Sequence, residues 1–111
     1  MKIKVSEATP TQINWLVVVA MLSGRYYLSK LAPYSTSWEH GGPILEENKI
    51  SVTYMVLGPY MDSFRGDFRH GGPKWWNDTT TQYGATYLLA GMRCYVASIL
   101  GDEVEILEGL K

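Results

Sequence analysis

The tetrapeptide His-Gly-Gly-Pro stands twice in the chain, at His40–Pro43 and at His70–Pro73, each time behind an aromatic and a charged residue, Trp38-Glu39 and Phe68-Arg69. An imidazole titrates near neutrality, and paired glycines expose backbone N–H groups that can cradle an anion. Together they suggest a loop for phosphate or carboxylate. His-Gly-Gly also occurs in oxyanion-hole loops, but those need a Gly-x-Ser-x-Gly nucleophile elbow, and the sequence contains none. The two copies diverge at once, into Ile44-Leu45-Glu46 and Lys74-Trp75-Trp76, and two units fall short of the roughly three that a stacked repeat requires. Two separate Gly-Gly-Pro turns are therefore expected, each serving its own loop, rather than halves of a twin site.

Arg93 is the one charged residue between Asp78 and Asp102. Its guanidinium fork suits a bidentate anion. The structural alternative is an ion pair with Glu39 or Asp102, or a buried stem with its head in solvent. Tyr34, Trp38, Trp75 and Trp76 can stack on a ligand or join the core; their place beside glycine turns favours a surface site. The candidate ligand-binding residues are thus Tyr34, Trp38, His40, Gly41, Gly42 and Arg93. No catalytic set is assigned, because no nucleophile is paired with a base. Two histidines and the single Cys94 lack paired-ligand spacing, so neither a metal nor a cofactor is expected. Cys94, with Arg93 its only basic neighbour, reads as inert packing.

These residues need elements to hold them. Thr9-Pro10-Thr11-Gln12 has the form of a capping box, and Gly24 is a natural stop. The helix between them carries an apolar stripe of Ile13, Leu16, Val17, Ala20 and Met21. Trp15, Val18, Val19 and Leu22 make its other side apolar as well, which calls for cover on two sides and suggests a homodimer through this first helix. A buried strand over Trp15–Ala20 is the rival. Thr86 caps a helix running to Leu100, ended by Gly101, with Leu88, Leu89, Met92, Tyr95, Val96, Ile99 and Leu100 on its core face. Its other side is small (Ala90, Gly91, Cys94, Ala97, Ser98), so a second backbone can come close. Lys2–Val5 and Glu103–Ile106 alternate as short strands. Ile44-Leu45 and Ile50–Leu57 suggest a hairpin turning at Asn48. Residues 25–43 read as irregular, with a short strand at Tyr26–Leu28, and residues 58–83 show no period.

The chain has 111 residues, 46% of them hydrophobic, and a formal net charge of −1. That describes one globular domain, residues 1–111. Near-neutral charge argues against nucleic acid. Residues 1–30 carry net +3 and residues 101–111 net −3, so the two ends are expected to meet. A lone cysteine excludes a disulfide framework and points to a reducing compartment. The N-terminus lacks a signal-peptide apolar region, and the longest apolar run, Trp15–Leu22, is far short of the roughly 20 residues that a membrane span needs.

Tyr34-Ser35-Thr36-Ser37-Trp38 followed by Gly41-Gly42-Pro43-Ile44, and Tyr83-Gly84-Ala85-Thr86 leading to Met92–Ser98 and Leu100–Glu105, resemble the NinX-like family of small proteins from tailed phages and prophages of enteric bacteria. Ser37 stands where the family pattern carries an acid, and Ala85 and Tyr87 where it carries prolines. The resemblance implies a phage accessory protein in the cytoplasm of a bacterial host, and it names no reaction.

The expected fold is α+β, with two helices on a small antiparallel sheet and a long irregular centre. The expected function is a non-enzymatic accessory protein that binds a host protein or a small anionic ligand through Tyr34–Pro43 and the loop near residues 64–76. The alternatives are a small enzyme on an anionic substrate, with Arg93 as anchor and His40 or His70 as acid/base, and a weak nucleic-acid binder through Arg65, Arg69, Lys74 and the following tryptophans.

Overall fold

The computed structural model describes residues 2–23, 31–59, 61–68 and 81–106. The order is β1 (Lys2–Lys4), a 3-10 turn (Val5–Glu7), α1 (Pro10–Ser23), α2 (Trp38–Glu47), β2 (Ile50–Tyr54), β3 (Phe64–Phe68), β4 (Gln82–Gly84), α3 (Tyr87–Leu100) and β5 (Glu103–Glu105). The fold is α+β, with a third helix beyond the two expected.

The capping box forms in full. Gln12 N–H donates to Thr9 Oγ1 at 3.2 Å, and Thr9 N–H donates to Gln12 Oε1 at 2.9 Å. These bonds satisfy donors that a helix start leaves open, and the strand alternative at Trp15–Ala20 gives way to α1. Ile13, Leu16, Val17 and Ala20 of the stripe are buried, and on the second apolar side Val18 is buried while Trp15 and Val19 are half-buried. Leu22 remains 54% exposed at the far end. The expected stop at Gly24 and the strand at Tyr26–Leu28 lie outside the described residues.

The chain ends meet as their charges suggest. β1 pairs antiparallel with β5, with Lys2 opposite Glu105, Ile3 opposite Val104 and Lys4 opposite Glu103. Lysines and glutamates alternate across the outer face while Val104 is buried.

Two expectations fail at the centre. His40–Pro43 is not a turn, because it lies inside α2, and Ile44-Leu45 are buried residues of that helix rather than a hairpin strand. β2 pairs instead with β3, Ile50 opposite Phe68 through Tyr54 opposite Phe64, and β3 pairs with β4. The tight connection from α2 to β2 places Lys49, not Asn48, at positive φ (57°). Asn48 instead donates its side-chain N–H to Ile44 C=O at 2.8 Å, closing the end of α2. Within residues 58–83 the short strands β3 and β4 appear where no period was legible; residues 69–80, with the second His-Gly-Gly-Pro, Trp75 and Trp76, lie outside the described part.

α3 is the centre of the packing. Thr86 Oγ1 accepts from Leu89 N–H at 3.1 Å, and Gly101 ends the helix at φ 92°. Leu88, Leu89, Met92, Tyr95 and Val96 are buried in the core, and so are Ala90, Gly91, Cys94 and Ala97 on the small side. The backbone that approaches there is the sheet. A Cβ on Gly66 of β3 would lie 2.7 Å from Ala90 O, and one on Gly84 of β4 would lie 2.7 Å from Ala90 N. Gly66→Ala and Gly84→Ala therefore force the sheet off α3. Each is expected to lower the unfolding free energy by about 2–3 kcal/mol in urea titrations.

Candidate functional site

Ser35 fixes the approach to α2. Its N–H donates to Asn14 Oδ1 at 2.9 Å, and its hydroxyl donates to Asn14 Oδ1 at 2.8 Å and lies 3.2 Å from Pro10 C=O. A turn over Pro33–Ser37 follows, with Ser37 N–H on Pro33 C=O, and α2 begins. Ser37 is its N-cap, with extended backbone and no side-chain capping bond; its hydroxyl lies 3.1 Å from His40 Nδ1. The acid of the family pattern would stand at this cap.

The structure brings together five of the six candidate residues. Tyr34 is buried beneath α2, its ring edge-on to His40 with centroids 6.2 Å apart, and burial raises the pKa of its hydroxyl. Gly41 packs on the Tyr34 carbonyl, so closely that an added Cβ would collide with it, and its N–H donates to Ser37 C=O at 2.8 Å. Gly42 lies under Trp38, whose ring would be 3.3 Å from a Cβ there. The glycine pair thus spaces α2 against its neighbours, and the Gly41 N–H serves the helix.

Arg93 is engaged elsewhere. Its Nη1 donates to Tyr83 C=O and its Nη2 to Ala8 C=O, both at 2.7 Å. Among the described residues its partners are these carbonyls rather than Glu39 or Asp102, and its Nε has none. Burial lowers its proton affinity, but a guanidinium stays charged at any relevant pH. Cys94 is buried beside it, and its thiol is pushed up to about 12, by burial first and by the charge of Asp67 second. Such a thiol is inert at neutral pH. Arg65, a residue of the nucleic-acid alternative, pairs with Asp67 at 3.0 Å.

The same helix start opens onto a feature that the sequence did not reveal. Trp38 is 58% exposed. Its ring packs on Tyr87 at 4.9 Å, Tyr87 meets Phe64 at 6.1 Å, and Phe64 meets Tyr54 at 5.2 Å. The four rings form a continuous aromatic row across the starts of α2, α3 and β3 and the end of β2. Tyr54 donates its hydroxyl to Asp62 Oδ1 at 2.8 Å, a bond that raises its pKa. Val56, Leu57 and Met61, on the connection from β2 to β3, are also exposed. Tyr54 and Phe64 face each other through strand register, and Tyr87 stands where the family pattern carries proline. Spacing along the chain does not join these positions.

Tyr87 also lines a groove of about 580 Å³ with Leu45, Glu46, Lys49, Ile50, Ser51 and Val52. Within the described residues no His, Cys, Asp and Glu group suited to a metal ion is found, and no helix is long and apolar enough to cross a membrane.

Two pairs of substitutions separate spacing from ligand binding. Gly41→Ala is expected to destabilise by about 2–3 kcal/mol through its collision with the Tyr34 carbonyl. Gly42→Ala meets only the edge of the Trp38 ring, which has to give by no more than a few tenths of an ångström, and should be neutral or gain up to about 1 kcal/mol from helix propensity. Arg93→Ala removes a charged donor from two carbonyls and should cost about 2–4 kcal/mol, whereas Arg93→Lys, which can reach one of them, costs about half of that. Urea unfolding of the four variants measures all of these values.

The comparisons with known proteins agree with the motif blocks. No curated protein matches the chain. Residues 26–99, which include α2, the three-stranded sheet and all of α3 but Leu100, match the family model described as Bacteriophage P22, NinX. With more than half of its 111 residues inside that match, the chain belongs to the phage P22 NinX family.

Proposed function

We propose that this member of the phage family is a non-enzymatic accessory protein that works in the host cytoplasm by binding a host protein through the aromatic row Trp38–Tyr87–Phe64–Tyr54. The observation that carries the reading is the exposure of Trp38, 58%, at the head of a row of rings in mutual contact. Tryptophan and tyrosine give large contact areas at low entropic cost and dominate protein interfaces. Exposed Val56, Leu57 and Met61 extend the apolar surface, and contiguous patches of that kind mark interaction sites.

A small anionic ligand at Tyr34, Trp38, His40, Gly41, Gly42 and Arg93 is the second reading, and His40, half-buried beside Ser37, is the observation in its favour. It has less support, because the Gly41 N–H and both terminal nitrogens of Arg93 already have partners. The nucleic-acid reading has less again: Arg65, the described one of its basic residues, pairs with Asp67 at 3.0 Å, and the net charge of −1 offers a phosphate backbone little attraction.

The test is a pull-down from infected host lysate with tagged wild type and Trp38→Ser, together with mass spectrometry of co-purifying small molecules. Trp38→Ser should leave the melting temperature nearly unchanged and weaken capture of a host protein by about tenfold or more. Equal capture by both forms, or a co-purifying anion with no protein, defeats the proposal. A steep loss of binding with added salt would transfer it to nucleic acid.

A further inference from the structure

We infer that the groove between α2 and β2 takes an extended, cationic segment of the partner protein, which adds to β2 as a fourth strand. The inference rests on the protein-binding reading above and goes beyond it, because it fixes the conformation and the charge of what is bound.

The sheet order β2-β3-β4 leaves β2 at an edge. Its ladder with β3 fixes which backbone groups are spent. Met55 N–H donates to Ser63 C=O at 2.9 Å, one step beyond the Tyr54–Phe64 pair. Antiparallel ladders alternate, so residues two apart face the same way. Ser51 and Thr53 therefore face β3 with Met55, while the N–H and C=O groups of Ile50, Val52 and Tyr54 face outward. Among the described residues no other element supplies them with a backbone bond. Unpaired groups of this kind are a template for another strand.

The groove beside this edge supplies the remaining conditions. Its wall is the end of α2, with Leu45 and Glu46, and its floor includes Tyr87. Its volume of about 580 Å³ lies in the usual range of roughly 300–1,000 Å³ for binding clefts. Charge selects the occupant. Among the described residues Glu46 and Lys49 line the groove, and Asp62, which accepts from the Tyr54 hydroxyl, lies exposed at the end of the adjoining aromatic row. Two carboxylates against one ammonium favour a lysine or arginine in the incoming strand. A second copy of the chain fits less well, because its own β2 would bring α2 and another Glu46 into the same space.

The experiment selects binders to the full chain from a random dodecapeptide display library. Enriched peptides should alternate β-branched or aromatic residues with polar ones and carry arginine or lysine. For a selected peptide followed by fluorescence polarisation, N-methylating alternate backbone nitrogens of one parity should weaken binding by about tenfold or more, and the other parity should have little effect. In the protein, Val52→Pro removes an outward N–H that the sheet does not use, a substitution that edge strands tolerate, and should weaken the peptide similarly. If that variant does not fold, the methylated pair decides the matter on wild type. Glu46→Lys should shift selection toward acidic peptides. The inference is overturned if no peptide is enriched, if neither methylation parity matters, or if ultracentrifugation shows a dimer that Val52→Pro dissociates. Peptides that lose binding with Trp38→Ser but ignore Val52→Pro and methylation overturn strand addition and leave the aromatic face standing. Failure of every peptide together with a silent Trp38→Ser removes both.

Discussion

The close seat of the sheet on α3 at Ala90 is the constraint from which the remaining geometry follows. Two strands cross the small-residue side of that helix with no side chain between, since Gly66 and Gly84 each bring backbone to within van der Waals contact of Ala90. A helix as widely apolar as α3 needs cover on several sides, and here α1 covers one flank, the sheet a second and α2 a third. The third contact is equally tight, because Gly91 faces the Leu45 side chain. Once β3 and β4 are placed, β2 becomes the outer strand, and the start of α3 brings Tyr87 beneath Trp38. The exposed aromatic row and the edge position of β2 are thus a consequence of how the core is packed.

Arg93 extends this arrangement to the N-terminal segment. Its two bonds join Tyr83, in β4, to Ala8, just ahead of the Thr9–Gln12 capping box. A charged donor in a place short of water makes stronger hydrogen bonds than a neutral one. Each carbonyl would otherwise be poorly solvated. The guanidinium therefore ties α3 to Ala8, 85 residues away in sequence, a residue that lies outside the stretch that matches the phage family. A role in binding an anion would have to compete with both bonds.

How much of this was legible depended on whether local or distant physics decided each element. α1 announces itself through its capping box and apolar spacing, and α3 through its cap, its glycine stop and the same spacing, because the residues that signal these ends also make the bonds. The pairing of the chain ends was legible through charge. α2 was not, since Gly41, Gly42 and Pro43 are the poorest helix formers, and local propensity argues for a turn. Burial of Tyr34, Ile44 and Leu45 outweighs that penalty, and Gly41 is what lets the helix reach the Tyr34 carbonyl. Gly66 has the same double meaning, a breaker by propensity and a contact requirement in the fold. Tyr34, Trp38, His40 and the glycines gather because they are neighbours in sequence. Tyr54 and Phe64 join them only through strand register, and Tyr87 only through the packing of α3 on the sheet, neither of which a short-range pattern encodes.

The contrast between Tyr34 and Trp38 bears on whether the aromatic row is a site or merely surplus surface. Both lie at the start of α2, yet one is buried at 7% exposure and the other is open at 58%. The open ring is nevertheless well supported. It rests on Tyr87 on one side and over Gly42 on the other, where the absence of a side chain leaves room for it along the helix. A ring held in this way has little rotamer freedom left to lose on binding, so less of its contact energy is spent on ordering. The same glycine that weakens α2 as a helix thereby presents Trp38 in a fixed orientation. The coincidence of exposure with restraint, rather than exposure alone, makes this face the strongest candidate for the contact surface of the protein.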